Sequence, residues 1–426
     1  MPAKRRGATP LKQLSFSLAE YKRRLKAVQA RMRQDSLAAL VLTDLANICY
    51  LTGFQTIGSY GYGLYATIVP ATGAPILFAS DFESHNARIV SWLDDVALYR
   101  VQDQITGSPV HELSGLNPEN PVILSNRSGP QVTGSPVEQL ARVLEKRGLD
   151  AGRIGCERLH FAMTVRDHET FASKLPRARF VDASDLVEQV KIVKSAEEIA
   201  VLRRAAQITT TAVLAAIDAA AEGALDNRVA AAAYEAAIRA GGEYFSLQPV
   251  VTSGRRSGIP HSTFRRVRLD KGDCVFLEIS AAYERYSAPT LRTISIGPPR
   301  PACRRAFEAC QASVTALRGK LRHGASSRDT AQAAGKALRA VEPKLLWHGY
   351  YGYSVGLAFP PACSDCKTIG DITETTDFEL KAGMVFHCNT SLRKPGRFGV
   401  TLGDTVLITQ HGSEPLTSVP EELILR

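Results

Sequence analysis

The sequence predicts two domains of different class: an α/β domain over residues 1–190 and an α+β domain over residues 191–426. Two observations support this division. In the first part of the chain, amphipathic helical segments alternate with short apolar strands, which is typical of an α/β domain. In the second part, two pairs of helices are interleaved with strands whose pattern indicates antiparallel pairing, which favours an α+β domain.

The elements of the first domain follow from periodicity and capping signals. Residues 17–35 carry apolar side chains at helical spacing and predict a helix. The segments "LAALVLT" and "LYATIVPATGAPILFAS" predict three strands, the last two joined by a turn at residues 71–73. In "SPVEQLARVLEKRG", Ser135 and Glu138 have the spacing of a capping box and predict a helix that ends at Gly148.

The second domain begins with another capping box. Ser195 and Glu198 predict the start of a long helix, and an alanine-rich helix follows it and ends at a pair of glycines. Strands are then predicted at "LQPVVTS" and, as a pair, within "FLEISAAYERYSAPTLRTISIG". Two more helices, "CRRAFEACQASVTALRGK" and "SSRDTAQAAGKALRAV", precede the late strands "MVFHCNTSL" and "FGVTLGDTVLIT".

Composition argues against several classes of protein. Of the 426 residues, 45% are hydrophobic and 22% are charged, as in ordinary globular proteins. The net charge of +10 is spread along the chain without interleaved aromatic residues, so nucleic-acid binding is not expected as the main function. No apolar run is long enough to cross a bilayer, and the basic start lacks the apolar core of an export signal. We therefore expect a cytoplasmic protein without a membrane partner.

The cysteines indicate reduced thiols rather than disulfides. The chain has 8 of them, scattered over its whole length instead of packed into a short framework. Cys363 and Cys366 form a C-x-x-C motif, but no second pair and no nearby histidine accompany it. We therefore interpret the pair as two thiols in a loop rather than as a zinc or redox site.

Four segments, in order along the chain, carry a family resemblance. They are "SGRRSGIPH", "GDCVFLEISAAYERYSAPTLRTISIG", "GYSVGL" and "LKAGMVFHCN" followed by "GDTVLIT". Together they resemble the C-terminal pita-bread domain of aminopeptidase P, prolidase, methionine aminopeptidase and creatinase. In addition, "LTDLANICYLTGF" resembles the N-terminal domain of the creatinase and prolidase branch. The resemblance covers nearly the whole chain and implies a creatinase-like α/β domain followed by a pita-bread α+β catalytic domain.

The resemblance allows the metal ligands of the family's peptidases to be compared position by position. Those enzymes use two aspartates, a histidine and two glutamates. The matching positions here carry, in chain order, Glu278, Pro289, Tyr353, Asn389 and Gly403. Only Glu278 keeps a carboxylate, whereas a divalent ion needs several anionic or imidazole donors around it. We therefore expect neither a metal nor another cofactor.

Creatinase and ectoine hydrolase are branches of this family that work without a metal. The segments "LEIS", "RYSAP", "GYSVGLAFPP" and "MVFH" resemble the ectoine hydrolase branch more closely. The resemblance implies a hydrolase that breaks a C–N bond, in an amidine, guanidine or amide, of a small zwitterion such as ectoine. It also implies a homodimer in which residues 58–65, "GSYGYGLY", reach the neighbouring subunit's site; a plain flexible loop is the alternative.

Without a metal, hydrolysis needs a base or a nucleophile from the protein. His261 matches the family's catalytic histidine, and an imidazole suits proton transfer near neutral pH. Glu278 alternates with Val275 and Leu277 along an apolar strand, so it is either a site residue or half of a buried ion pair, with Arg292 as partner. We predict that Glu278 faces the cationic carbon of the substrate, first as counter-ion and then as nucleophile or general base.

The other predicted site residues bind the substrate. Tyr353, His387 and Asn389 are expected to orient the polarised nitrogen, and the last two share one strand face because they lie two residues apart.

Four arginines flank His261 in "SGRRSGIPHSTFRR", and one of them, Arg256, is expected to hold the substrate carboxylate. Solvated loop arginines are the alternative. Tyr286 and Arg292 complete the predicted set of substrate-binding residues.

Two other functions fit the same resemblance. One is a metal-dependent Xaa-Pro peptidase of the prolidase type. The other is a non-catalytic pita-bread protein that only binds partners. A closed, charged pocket that holds His261 and Glu278 would count against the second of these.

Overall fold

The computed structural model describes residues 12–57, 63–99, 134–159, 162–344 and 349–426. These residues form two units, which divide between Val190 and Lys191. Most of segment 58–65, for which a role at a neighbouring subunit is predicted, lies outside the described residues. None of the helices in the described ranges is both long and apolar enough to span a bilayer.

The first unit is built on one mixed β-sheet. Its strands are β1 (Ala39–Leu42), β2 (Ala66–Pro70), β3 (Ile76–Ser80), β4 (Val96–Tyr99), β5 (Gly152–Cys156) and β6 (Ala178–Asp182). They lie in the order β4-β3-β2-β1-β5-β6, with β1 parallel to β5 and antiparallel to β2. Parallel and antiparallel pairs in one sheet, with helices between the strands, confirm the predicted α/β class.

Helices connect these strands and bury apolar stripes. They are α1 (Leu18–Gln34), α2 (Leu45–Thr52), α3 (Ser84–Val90, after the short 3-10 helix Asp81–Glu83), α4 (Pro136–Lys146) and α5 (Val165–Lys174). The capping box predicted at Ser135 and Glu138 is present at the start of α4. Leu140 and Leu144 of that helix pack into the same core as Ile154 of the sheet.

The second unit is built on a larger, mainly antiparallel sheet. Its strands are β7 (Val250–Ser253), β8 (Cys274–Ile279), β9 (Ala282–Tyr283), β10 (Tyr286–Ser287), β11 (Thr290–Ser295), β12 (Gly352–Ser354), β13 (Asp371–Ile372), β14 (Val385–Lys394), β15 (Phe398–Ile408), β16 (Ser413–Pro415) and β17 (Ile424–Leu425). The main order is β13-β12-β14-β15-β11-β8-β7, while β16 pairs with β15 and β17 with β11. The hairpin β9-β10 is not part of this sheet. It lies between β8 and β11 along the chain, and those two strands pair with each other in the sheet.

Two helix pairs cover one face of this sheet. The helices of this part of the chain are α6 (Glu188–Lys191), at the division between the units, then α7 (Ala196–Ala219), α8 (Asp226–Arg239), α9 (Gly254–Ser257), α10 (Pro301–Arg318) and α11 (Ser327–Val341). The two pairs are α7 with α8 and α10 with α11. The capping box at Ser195 and Glu198 is present at the start of α7. Leu277 packs in one core with α7 and α8, and Leu392 packs in another with α10. Because side chains alternate along a strand, Glu278 points to the opposite face, which we call the site face.

Arg292 is a structural residue on the helix-covered face of this sheet. It is 1% exposed and forms an ion pair of 2.8 Å with Asp404, which is equally buried. Its guanidinium also donates to the backbone oxygens of Leu291, Gly403, Val419 and Pro420. The alternative that Arg292 pairs with Glu278 is therefore wrong, because its donors already have partners on the other side of the sheet. The same contacts do not support the expectation that Arg292 binds substrate.

Replacing Arg292 is expected to destabilise the fold strongly. Arg292→Met leaves Asp404 buried without its partner, so we expect the free energy of unfolding to fall by about 3 to 5 kcal/mol. Urea unfolding of the two proteins measures this difference. Arg203→Met is the matched control, because the ion pair of Arg203 with Glu414 is roughly half exposed and should contribute less than about 1 kcal/mol. A loss for Arg292→Met no larger than that of the control would contradict a structural role.

Candidate active site

Strand register gathers the predicted site residues of the sheet onto the site face. Glu278 pairs with Leu291, Leu291 with Gly403, and Gly403 with Asn389, so these residues form one row across four strands. The adjacent row, two residues along, contains Pro289, Thr405, His387 and Tyr353. The five positions matched to metal ligands therefore do converge, but most of them carry other chemistry.

Glu278 is an unpaired carboxylate among apolar neighbours. Its cross-strand partners Val250 and Leu291 form an apolar cluster with Phe276 on the same face. The side chain is half-buried, and within the described ranges no residue donates a hydrogen bond to its carboxylate or forms an ion pair with it. Burial raises the pKa of Glu278 to about 7, against the opposing effect of the positive charge of Arg393. Near neutral pH the side chain can therefore either hold a proton or, when ionised, pair with a cation.

Tyr353 and Cys363 form the polar wall beside Glu278. The Tyr353 hydroxyl lies 3.2 Å from the Cys363 thiol. Burial, with the nearby charge of Glu278 as a further cause, raises the pKa of Tyr353 well above its usual range and that of Cys363 to about 12. Both groups are therefore neutral at physiological pH and can act as hydrogen-bond donors or acceptors, but not as anions.

A buried ion pair fixes the loop that carries Cys363. Asp365 accepts a hydrogen bond of 2.6 Å from Ser354, the residue after Tyr353, and forms an ion pair of 3.0 Å with Lys194. Lys194 and Asp365 are almost fully buried. Because Tyr353 and Ser354 point to opposite faces of β12, this contact holds the loop against the strand while Cys363 reaches the site face. Cys363 and Cys366 are free thiols in a loop, as predicted, and Cys363 in addition contacts Tyr353.

His387 is a buried, neutral imidazole. Its ring lies 5.3 Å from that of Tyr353 in an edge-on arrangement, as expected for cross-strand partners. Burial lowers the pKa of His387 to about 3, although the backbone groups of Pro289 and Asp404 favour the protonated ring. Neither ring nitrogen has a partner at hydrogen-bonding geometry among the described residues. His387 can therefore orient a ligand or a water, but it cannot act as an acid near neutral pH.

Asn389 shares the site face with His387, as predicted. Its amide nitrogen donates a long hydrogen bond of 3.5 Å to the His387 backbone oxygen. The neighbouring Gly403 leaves no room for a side chain, because a Cβ built there would lie 2.5 Å from that of Asn389. The site face is therefore packed tightly at the position where a peptidase of this family carries a carboxylate.

The donor set on the site face does not fit a dinuclear metal centre. Pro289 and Gly403 have no side-chain donor, and Tyr353 is held neutral by burial. Among the described residues, no group of three or more histidine, cysteine, aspartate or glutamate side chains is arranged to hold a metal ion. The described residues of this face therefore supply few of the anionic and imidazole donors that such a centre needs.

Arg393 also lies on the site face, at the far end of β14. Its guanidinium stacks over the ring of Phe276 at 4.1 Å and donates to the backbone oxygen of Ser257 at 2.8 Å. The predicted strand "MVFHCNTSL" did not include this residue, because it ends two residues before β14 does. The available signal was the period of two that continues from His387 through Asn389 and residue 391 to Arg393.

The loop of His261 begins where Arg393 holds Ser257. His261 is exposed, its backbone is left-handed with φ 54°, and within the described ranges its side chain makes no hydrogen bond. The structure therefore brings Glu278, Tyr353, His387 and Asn389 together but places His261 outside this contact network. A catalytic role for His261 stays a prediction.

Arg256 anchors this loop rather than facing a substrate. It donates to the Ser262 hydroxyl at 2.8 Å and to the Thr263 backbone oxygen, and it lies 3.4 Å from buried Asp226. Asp226 in turn accepts the backbone N–H groups of residues 265 and 267. The prediction that Arg256 holds the substrate carboxylate is not supported, because its donors fix the loop backbone.

Tyr286 is likewise occupied. It is 1% exposed, and its hydroxyl donates to Glu198 at 2.8 Å, which ties β10 to the first turn of α7. The prediction that Tyr286 contacts substrate is therefore not supported by its position.

Sequence comparisons identify both units. Residues 24–193 match the Creatinase/Prolidase N-terminal domain, and residues 200–410 match Metallopeptidase family M24. An uncharacterised hydrolase/peptidase of Sinorhizobium fredii is 29% identical over 427 residues, which cover 97% of this chain and 99% of that protein. The ectoine hydrolase of Halomonas elongata is 25% identical over 433 residues, with the same coverage of both chains.

Peptidases are also among the similar proteins. The Xaa-Pro dipeptidase of Pyrococcus furiosus is 29% identical over 256 residues, which cover 60% of this chain and 72% of that protein. Among solved structures, a prolidase from Thermococcus sibiricus superposes with a TM-score of 0.80 at 20% identity, covering 96% of this chain and all of the other. This structural likeness supports the two-domain fold and leaves the substrate open.

The unpaired carboxylate predicts an unusual dependence of stability on pH. Because the native pKa of Glu278 is raised, the folded protein holds this proton more tightly than the unfolded chain does. The native state should therefore lose stability as the pH rises from the ordinary glutamate range through about 7. Glu278→Gln removes the ionisation, so the variant should gain up to about 3 kcal/mol on the parent between pH 4 and pH 8.

Denaturant unfolding at several pH values measures this difference. Glu308→Gln, at an exposed position of α10, is the matched control. Parallel stability curves for the parent and Glu278→Gln over this pH range would show that the Glu278 carboxylate is not destabilised by burial.

Proposed function

Because the chain belongs to the creatinase and prolidase family of pita-bread hydrolases, and Glu278 is an unpaired carboxylate on its site face, we propose a metal-independent C–N hydrolase. The proposed substrate is a small zwitterion whose cationic group is an amidinium or guanidinium, as in ectoine or creatine. Similarity over nearly the whole chain to an ectoine hydrolase supports this substrate class. The observation that carries the proposal is Glu278, because a half-buried carboxylate with neither an ion-pair nor a hydrogen-bond partner among the described residues favours a cationic ligand.

In the proposed reaction, one water molecule is added across the C–N bond. The ionised Glu278 pairs with the cation and then either attacks its carbon or takes a proton from the attacking water. A C–O bond forms, the C–N bond breaks, and the departing nitrogen keeps a proton from the water. His261 is proposed as the residue that transfers this proton. Neutral Tyr353, His387 and Asn389 offer hydrogen bonds to the nitrogens.

A small molecule as the partner, a homodimeric state and a cytoplasmic location belong to the same proposal. The partner and the homodimeric state derive from the resemblance to the creatinase branch, and the location is the expectation from the composition of the chain.

Glu278→Gln should abolish turnover while the protein stays folded. Removing a general base or nucleophile costs at least about a hundredfold in kcat. Product release from ectoine, hydroxyectoine and creatine, followed by NMR, measures this, with Glu308→Gln as the control that should keep parental turnover. A folded Glu278→Gln variant with full activity would contradict the role of Glu278 as base or nucleophile.

The rate should also depend on the ionisation of Glu278. Since burial raises its pKa to about 7, kcat/KM should increase with pH and level off above that value. Tyr353 and Cys363 are held neutral nearby, and Arg393 carries the facing positive charge, so among the residues on the site face the rise with pH belongs mainly to Glu278. A flat profile from pH 5.5 to 8.5 contradicts this assignment.

A metal-dependent Xaa-Pro peptidase is the second candidate, favoured by the similarity to an Xaa-Pro dipeptidase. The poor donor set at the five matched positions argues against it. Turnover of ectoine and of an Xaa-Pro dipeptide by chelator-treated protein, with and without added manganese, cobalt or zinc, separates the two. We expect hydrolysis of the zwitterion to survive the chelator; peptide cleavage that depends on added metal would favour the peptidase.

A further inference from the structure

Arg393 lies on the same face as Glu278, with the ring of Phe276 between them. Phe276 and Glu278 are two residues apart on β8, so their side chains are neighbours on the site face. The Arg393 guanidinium lies 4.1 Å from the centre of the Phe276 ring. Arg393 and Glu278 influence each other's ionisation, yet they form no ion pair. Two opposite charges thus flank one aromatic surface without neutralising each other directly.

The guanidinium of Arg393 has donors to spare. It carries five N–H groups, and the Ser257 backbone oxygen accepts from one nitrogen only. In the described part of the chain, no carboxylate forms an ion pair with it, although the residue is only 9% exposed. The unused nitrogens keep some exposure, because none of them is among the fully buried atoms without a partner, so an anionic ligand can complete the set. A planar carboxylate is the anion whose geometry suits this fork.

A short zwitterion would satisfy both charges at once. Its cation would lie against Glu278 and its carboxylate against Arg393, while the buried ring of Phe276 packs against the guanidinium. Cation–π stacking on Phe276 restricts the guanidinium, so less side-chain freedom is lost when the anion binds. Arg256, the arginine expected from sequence to bind the carboxylate, uses its donors for the His261 loop instead.

We propose that Arg393 binds the carboxylate of the substrate and thereby selects zwitterions over simple amidines or guanidines. The inference deepens the proposed function, on which it rests for the position of the cation at Glu278. It also fixes the orientation of the ligand, with the anion toward the end of β14 and the cation over β8.

Calorimetric binding to matched pairs of ligands tests this assignment. The pairs are ectoine and the same cyclic amidine without its carboxylate, and creatine and dimethylguanidine. We expect the parent protein to bind the carboxylate-bearing member more tightly by about tenfold to a hundredfold, the range for charge-assisted hydrogen bonds. In Arg393→Gln this preference should disappear, so that the two members of each pair bind about equally, because only the carboxylate loses its partner.

Two variants control for structure. Arg397→Gln, on the exposed turn of the same hairpin, should keep the preference. Arg393→Lys keeps the positive charge and should retain part of the preference, which provides a second reading if Arg393→Gln unfolds. Loss of the Ser257 contact alone would weaken both members of each pair equally, so the ratio separates carboxylate binding from a structural role.

The outcomes also separate this inference from the proposed hydrolysis, because binding and product release are measured independently. Carboxylate-dependent binding that is lost in Arg393→Gln, without product release by the parent, supports Arg393 and contradicts the hydrolase. Product release with an unchanged preference in Arg393→Gln supports the hydrolase and overturns the role of Arg393. Absence of binding to every ligand overturns both.

Discussion

The unpaired carboxylate of Glu278 is the constraint on which the site depends. A glutamate flanked by Val250, Leu291 and Phe276 is expensive to ionise, and the described residues offer it no direct partner. Proteins normally pair or exclude such a group, and in the proposed function a ligand supplies the missing charge. Glu278 is then the residue that receives the cation of the substrate.

The rest of the second unit holds this carboxylate in place. Helices cover one face of the sheet, which leaves the other face for polar side chains. Buried ion pairs lock the surroundings: Arg292 with Asp404 behind the sheet, and Lys194 with Asp365 under the loop of Cys363. These pairs hold the strands and the loop around the site in position, and their charged groups are already paired. The chemical consequence is a site of neutral donors around one carboxylate and one guanidinium.

Local patterns predicted much of this arrangement. The capping boxes of α4 and α7, the alternation around Glu278, and the shared face of His387 and Asn389 follow from spacing alone, and the structure has all of them. Roles that depend on distant partners could not be predicted. Tyr286 bonds to Glu198, Arg292 to Asp404, and Cys363 meets Tyr353 through a folded loop. Because sequence spacing does not specify which buried donor is already used, arginines and tyrosines near the site were overassigned.

The ionisation of Glu278 can be observed directly, by infrared or carbon-13 NMR titration of its carboxyl group against Glu278→Gln as reference. We expect a midpoint near pH 7 in the free protein and a lower midpoint once a cationic ligand binds, because the positive charge favours the carboxylate. A midpoint in the ordinary range of a glutamate, unchanged by ligand, would contradict the proposal that Glu278 binds the cation of the substrate.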